Sequence, residues 1–362
     1  MRRKQIGLYI HIPFCKQKCS YCDFCSYANK ESFIKRYIQC VLKEIIEVGN
    51  NNKIDFENGK DDLFLVKTIY IGGGTPSLID SKYIVQIIED IKLNFEIDEK
   101  AEITIEVNPG TVTLEKLEDY NKVGINRLSI GLQSTHEHLL KEIGRIHTYL
   151  DFLDTFRFAR EAGFENINVD LMIGLPNQTL EEVKDSIEEI VSMEPEHISV
   201  YSLILEENTP LFKKVEEGLE LPNEDLERKM YWAVKQTLEQ NNYIHYEISN
   251  FAKKGYESKH NLDCWNQKEY IGFGIAAHSY TNGIRYSNIE NIEQYIKNYD
   301  EDKTEENLVF HEKQDMEAMQ KEYMLLGLRK IDGVSIQEFK IKFVANPVFL
   351  YHSELEKLVN EE

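Results

Sequence analysis

The residues best suited to chemistry in this chain are Cys15, Cys19 and Cys22, which follow each other in a C-x3-C-x2-C spacing. Thiolates are soft ligands that select iron–sulfur clusters, and three of them on one short loop can hold three irons of a [4Fe–4S] cube. The fourth iron then has no protein ligand and can bind a small molecule. The spacing therefore predicts a cluster with one open iron.

Two other metal sites are compatible with the same run. Cys25 extends it to C-x3-C-x2-C-x2-C, so four thiolates could close a structural zinc site, although zinc sites more often use two Cys/His pairs about a dozen or more residues apart. A ferredoxin-like cluster usually has a C-x2-C-x2-C run with a distant fourth cysteine. The spacing favours the small-molecule-binding cluster over both.

Composition and charge narrow the class of protein. The chain has 362 residues, enough for one large domain and a smaller one, and its net charge of −21 argues against nucleic acid as a partner. The start of the sequence has no long apolar segment, so we expect no signal peptide. No stretch approaches about eighteen continuous apolar residues, so we also expect no membrane-spanning helix. We therefore expect a cytoplasmic, reducing location, where clustered thiols indicate metal rather than disulfides.

Short β-rich segments alternate with helical ones along the first two hundred or so residues. This rhythm predicts an α/β fold, a partial (β/α)6 barrel of the TIM type, in which chemistry lies at the C-terminal ends of the strands. The six predicted strands are residues 7–13, 67–71, 102–107, 127–130, 168–173 and 197–204.

From about Thr209 the rhythm breaks. Residues 211–240 are predicted to be helical, residues 243–251 to form a strand, and a glycine- and aromatic-rich stretch covers residues 270–280. We therefore predict a barrel domain over residues 1–208 and a smaller C-terminal α/β domain over residues 209–362.

Polar residues at strand ends could bind a small charged molecule. Three glycines at 72–74 leave the backbone open to a ligand, and Glu106 lies near the end of the third strand. Arg145 could clamp a carboxylate through two parallel hydrogen bonds. Asp170 lies within an apolar run, where a buried carboxylate is costly unless it is paired or bound to a ligand.

Together these residues carry a resemblance to a known family. The run Y-I-H-I-P-F-C from Tyr9 to Cys15, followed by C-S-Y-C, resembles the radical S-adenosylmethionine (SAM) family of oxygen-independent coproporphyrinogen III oxidases and the related heme chaperones. The resemblance extends from about Gly7 to Tyr280. It implies that Cys15, Cys19 and Cys22 hold a [4Fe–4S] cluster, and that electron transfer from the cluster cleaves SAM to a 5′-deoxyadenosyl radical. It further implies these SAM contacts: Tyr9, Tyr21, Gly73, Gly74, Thr75, Glu106, Gln133, Arg145 and Asp170.

Three features favour the heme chaperones over the oxidases. The oxidases typically carry a fourth cysteine two residues after the third, where this chain has Phe24. The oxidases also usually have an N-terminal extension before the first strand, whereas this sequence starts almost at its first predicted strand. The chaperones carry an H-N-x-x-Y-W motif implicated in heme binding. Here His260, Asn261 and Trp265 match that motif while Cys264 replaces the tyrosine, so His260 is the predicted heme ligand and the ligation pattern is open.

The resemblance therefore predicts a heme chaperone that binds a [4Fe–4S] cluster, SAM and heme. Its expected partners are heme and acceptor hemoproteins, including acceptors at a membrane surface, while the electron donor is unknown. Oxidative decarboxylation of coproporphyrinogen III, radical SAM modification of heme and a purely structural metal site are the alternatives. His245 and His278 are alternative heme ligands.

Overall fold

The computed structural model describes residues 3–57, 59 and 62–360 of the chain. Twelve strands form one sheet in the order β14-β13-β12-β11-β1-β4-β5-β6-β7-β8-β10-β9. Two short strands, β2 and β3, pair separately. The strands are β1 (Arg3–Ile12), β2 (Phe14–Cys15), β3 (Tyr27–Ala28), β4 (Leu63–Gly73), β5 (Glu96–Val107), β6 (Arg127–Gln133), β7 (Ile167–Ile173), β8 (His197–Ser202), β9 (Ile244–Glu247), β10 (Asn250–Ala252), β11 (Tyr270–Phe273), β12 (His278–Thr281), β13 (Ile284–Asn288) and β14 (Leu308–Lys313).

The helices in the first part of the chain alternate with the parallel strands. The α-helices are α1 (Ile34–Glu57), α2 (Ser81–Asn94), α3 (Leu114–Lys122), α4 (Glu137–Glu142), α5 (Tyr149–Glu161), α6 (Leu180–Ser192), α7 (Pro210–Glu216), α8 (Glu224–Gln240), α9 (Lys259–Trp265), α10 (Ile292–Asp300), α11 (Met316–Gly327), α12 (Ile336–Phe343), α13 (Pro347–Leu350) and α14 (His352–Asn360). Among all the residues that the structure describes, no helix is long and apolar enough to cross a membrane.

Local sequence signals set the helix boundaries. Thr179 and Glu182 form a capping box at the start of α6, which satisfies two backbone donors, as the T-L-E-E run predicts. Gly124 and Gly163 follow the ends of α3 and α5 with φ of 96° and 89°, a left-handed conformation that favours glycine. These turns bring the chain into β6 and β7.

The predicted α/β class is confirmed. Strands β1, β4, β5, β6, β7 and β8 are neighbours and run parallel, with helices in the connections. β11 is also parallel to β1, and the parallel part is open, because β11 borders the antiparallel β12 at one edge and β8 borders the antiparallel β10 at the other. The strands after residue 208 thus extend the same sheet at both of its edges, and the division into domains at that residue stays a prediction.

Two C-terminal elements differ from their sequence-based predictions. The predicted helix over residues 211–240 is two helices, α7 and α8, and the chain between them contains Gly218 with φ of 106° and Pro222. The predicted strand over residues 243–251 is a pair of antiparallel strands, β9 and β10. Glycine and proline interrupt the helix because glycine allows a left-handed turn and proline offers no backbone donor.

The two faces of the parallel strands differ in character. One face is apolar and packs on the helices, with Leu8, Ile69 and Ile105 fully buried in a core that includes Ile87 of α2. The opposite face carries polar residues near the starts of its strands, where His197 of β8 hydrogen-bonds to Asn168 of β7 over 2.6 Å. Because side chains alternate along a strand, the same strands supply both an apolar core and a polar interior.

Candidate functional site

A cavity of about 380 Å³ opens at the C-terminal ends of the parallel strands. It brings together most of the predicted site residues. The predicted residues that line it are Cys15, Cys19, Cys22, Tyr21, Gly73, Gly74, Thr75, Glu106, Gln133, Arg145 and Asp170. Residues distant in sequence therefore share one surface, as expected for a site at the strand ends of such a fold.

The cysteine loop is fixed by backbone hydrogen bonds to its surroundings. Ser20, between the second and third cysteines, donates its amide to Ile143 and accepts one from Leu211, over 3.0 and 2.8 Å. Burial raises the pKa of the Cys15 and Cys22 thiols. A metal must therefore displace protons from these thiols when it binds.

Cys25 is directed away from the cavity. Its Sγ lies 3.7 Å from the carbonyl oxygen of Glu290, and the Tyr27 hydroxyl donates to the same carbonyl over 2.8 Å. Cys25 is absent from the cavity wall that the other three cysteines share. This placement argues against the four-thiolate zinc site.

The glycine-rich turn after β4 makes room for side chains of the site. A Cβ on Gly73 would lie 2.7 Å from the His11 ring, and its φ of 118° would strain any other residue. A Cβ on Gly74 would lie 2.9 Å from the Cys15 sulfur. These glycines are therefore required for close packing around the first cysteine, in addition to any contact with a ligand.

Two partly buried carboxyls line the cavity, Glu106 on β5 and Asp170 on β7, with β6 between these strands. Glu106 accepts hydrogen bonds from the Tyr70 hydroxyl over 2.9 Å and from the Gly73 amide over 3.1 Å. The pKa of Glu106 is raised to about 7, chiefly by burial, while the Tyr70 hydrogen bond lowers it and the nearby Asp170 raises it. Burial also raises the pKa of Asp170, whose carboxyl accepts hydrogen bonds from Asn168 and Ser129 over 2.7 and 3.2 Å. Such a pair would favour a cationic ligand or ligand hydroxyls.

Arg145 is one of two cationic residues that line the cavity, the other being Lys18. Arg145 donates to Asn108 Oδ1 and to the Tyr21 hydroxyl, each over 2.9 Å, and both partners also line the cavity. Its buried Nε has no hydrogen-bond partner among the described residues. An unsatisfied buried guanidinium donor is costly, so this group is suited to a ligand carboxylate.

Sequence reasoning missed several residues of this wall, among them Tyr70, Asn108, Ser129 and Tyr201. Alternation could have found Tyr70, because it lies on the same face of β4 as Gly72. Asn108 lies two residues after Glu106 in the E-V-N-P run, but only the fold shows that it orients Arg145.

Two predicted residues lie outside the cavity wall. Tyr9 stacks on Tyr70 at 6.3 Å between ring centroids and shares a 3.0 Å hydrogen bond with His11. His260 is 7% exposed, stacks on Tyr70 at 5.2 Å, and its Nδ1 hydrogen-bonds to Thr68 Oγ1 over 2.9 Å. Both contact the Tyr70 ring, which lines the cavity, and the roles predicted for them stay predictions.

The rest of the predicted heme motif is partly buried. Burial raises the pKa of the Cys264 thiol to about 12, which opposes its ionisation to a thiolate ligand. The Trp265 ring lies 4.4 Å from the Arg329 guanidinium. Glu102 caps the first turn of α9 by accepting the backbone N–H groups of Lys259 and His260. The motif thus packs α9 against the interior of the sheet.

Comparisons with known proteins show the family to which the chain belongs. The sequence profile of the Radical SAM superfamily matches residues 9–190. The chain is 37% identical to "Heme chaperone HemW" of Lactococcus lactis, over 100% of this chain and 91% of that protein. It is 40% identical to the protein of the same name from Bacillus subtilis, over 98% of this chain and 91% of the relative. The chain therefore belongs to the radical SAM superfamily and, within it, to the HemW family.

A solved structure supports the fold independently. Coproporphyrinogen III oxidase (HemN) from Escherichia coli, described as a radical SAM enzyme, superposes with a TM-score of 0.83 over 99% of this chain and 84% of its own. At 20% sequence identity, this likeness concerns the fold alone.

The superfamily implies a [4Fe–4S] cluster and SAM, and the residues of the cavity fit both. No three His, Cys, Asp or Glu side chains in the described ranges converge tightly enough to hold a single metal ion. The three cysteines nevertheless line one cavity, and a cube of four irons spaces its thiolates more widely than one ion does. The unpaired Nε of Arg145 and the carboxyls of Glu106 and Asp170 are polar groups of the kind that a SAM site would need.

Proposed function

We propose that this chain is a heme chaperone that holds a [4Fe–4S] cluster and SAM, binds heme and delivers it to acceptor hemoproteins. The observation that carries the proposal is the similarity over nearly the full chain to two proteins named heme chaperone HemW. The oxidase likeness, at 20% identity, extends to the fold only. We place the protein in the cytoplasm, because the thiols of the site require a reducing compartment.

Each part of the cavity has an assigned task in this proposal. Cys15, Cys19 and Cys22 would hold three irons, and Thr75 would donate its hydroxyl hydrogen to the Cys15 sulfur, from which it lies 3.6 Å. Arg145, oriented by Asn108 and Tyr21, would bind the SAM carboxylate.

The other polar groups would position the rest of SAM. Glu106 and Asp170 would accept hydrogen bonds from its hydroxyl and amino groups. Gln133 has φ of 73° at the end of β6, a strained conformation that is common at binding sites. A bound cluster would supply a single electron beside SAM.

The loop sequence separates this proposal from oxidase activity. Phe24 occupies the position of the oxidases' fourth cysteine and is 70% exposed at the edge of the cavity. An apolar ring there supplies no thiol for the cluster but offers a surface for a planar hydrophobic molecule. Acceptors would include hemoproteins at a membrane surface.

Heme transfer can be tested with the reconstituted holoprotein. Hemin-loaded protein is mixed anaerobically with an apo b-type cytochrome, and acceptor heme is followed by its reduced difference spectrum. A parallel sample separates the two proteins with a dialysis membrane. We expect fast transfer only when the proteins are in contact. Equal rates with and without the membrane would mean simple release of heme and would contradict the proposal.

A further inference from the structure

Two exposed histidines lie side by side on β12 and β14, outside the cavity. The rings of His278 in β12 and His311 in β14 are stacked with their centroids 5.3 Å apart and their planes at 15°. Neutral imidazole is the commonest metal ligand in proteins. Two such rings at the surface form a candidate metal-binding group that the cluster and SAM site does not use.

His278 is unlike the other histidines of the chain. All ten histidines lie in the described ranges, and His278 alone makes no side-chain hydrogen bond or ion pair. Both of its ring nitrogens are therefore available to a ligand. His260, the ligand predicted from the sequence, is buried and bonded to Thr68 instead.

The position of His311 is set by a β-bulge. Arg285 pairs with Glu312 and Tyr286 pairs with Phe310, so His311 is the extra residue on β14. Bulges commonly redirect a side chain. The His311 Nε2 hydrogen-bonds to Ser287 Oγ over 2.8 Å, which holds the ring against that of His278.

The strand register places the pair on the same face of the sheet as the SAM cavity. Residues that pair across a sheet project to one face, and so do residues two apart in a strand. Tyr9 pairs with Gly272, and Tyr270 pairs with Tyr280. His278, two residues before Tyr280, therefore projects to the same side as Tyr9, which stacks on the cavity wall.

The pair also lies at the end of the sheet where the parallel strands terminate and the cavity opens. β12 runs antiparallel to β11, which is parallel to β1, so its first residue lies where the parallel strands end. The cysteine loop contacts this end of the sheet, since Cys25 and Tyr27 both approach Glu290, two residues after β13. The exposed Phe24 is on that loop, and the partly exposed Val309 pairs with Ser287 on the histidine face.

We propose that His278, with His311 stacked beside it, is the heme-iron ligand of a docking surface between the cysteine loop and β14. This inference rests on the proposed heme-chaperone function. The surface offers an axial ligand with free nitrogens and apolar neighbours for a porphyrin ring.

The geometry suits transfer as well as binding. Both imidazoles lie on the same face of the sheet, so a single heme could take only one of them as an axial ligand. The other face of the heme would then stay open. An acceptor protein could then coordinate the iron before the chaperone releases it. His311 would orient the ligand ring.

The test is hemin titration of the cluster- and SAM-loaded protein, followed by Soret absorption and electron paramagnetic resonance. We expect His278→Ala to weaken hemin binding at least about tenfold and to remove the imidazole-ligated iron signal, and added imidazole to restore that signal. His311→Ala should weaken binding less and keep the signal. Exposed His352 supplies the matched control, and His352→Ala should bind hemin like the wild type.

SAM binding by His278→Ala establishes that the variant is folded, and His278→Gln gives a second variant of similar size. Wild-type affinity and spectrum in both His278 variants would overturn the assignment while leaving the chaperone proposal intact. A wild-type protein that binds no hemin would contradict the proposed function itself.

Discussion

Replacing Glu106 by glutamine should remove a large pH dependence of stability. Burial raises the pKa of this carboxyl from 4.5 to about 7, with Asp170 adding to the effect. Between these values the folded protein holds a proton that the unfolded chain has released. The contribution of Glu106 to the free energy of unfolding therefore falls as the pH rises from 4.5 to about 7.

The size of the effect follows from the same two values. At about 1.36 kcal/mol per pH unit, the interval from 4.5 to about 7 amounts to about 3 kcal/mol. Glutamine resembles the protonated acid in shape and does not titrate. The stability of Glu106→Gln relative to the wild type should therefore increase by about 3 kcal/mol between about pH 4 and about pH 8.

The assay is urea unfolding of ligand-free protein, followed by circular dichroism at both pH values. The matched control is Glu181→Gln, at an exposed position near the start of α6. Its pH profile should run parallel to that of the wild type. A Glu106→Gln profile that is also parallel would refute the reasoning about this buried carboxyl.

Four further predictions concern the site and its surroundings. Cys15→Ala should lose bound iron after anaerobic reconstitution, whereas Cys25→Ala should keep it, as measured by iron and sulfide analysis. Gly74→Ala should also bind less iron, because its Cβ would lie 2.9 Å from the Cys15 sulfur. Arg145→Lys should weaken SAM binding by roughly tenfold in calorimetry, since lysine cannot form the bidentate contact. His260→Ala should lower the free energy of unfolding by about 2 kcal/mol in urea unfolding, because Thr68 loses a buried partner.

Periodicity and caps predicted much of the parallel part of the fold. The six strands were found because their apolar runs are separated by clear helix and turn signals, such as the capping box at Thr179. The C-terminal strands were harder to assign, because short strands such as β9 and β10 depend on pairing with distant strands. No local sequence pattern indicates that these strands lie at the edge of the sheet.

The site was predicted to a similar extent. Cysteine spacing and strand-end carboxylates predict Cys15, Glu106 and Asp170 from the sequence, and the fold brings these residues to one cavity. The partners that orient them, such as Tyr70 and Asn108, carry no signal of their own. The stacking of His278 on His311 depends on a bulge in β14, which sequence pattern alone does not reveal.

The most direct test of the central claim supplies reduced, cluster- and SAM-loaded protein with coproporphyrinogen III or hemin in separate anaerobic samples. Chromatography then identifies the porphyrins. We expect coproporphyrinogen III to remain unchanged and hemin to bind stoichiometrically without modification. Formation of protoporphyrinogen IX would contradict the heme-chaperone function and identify the protein as an oxidase.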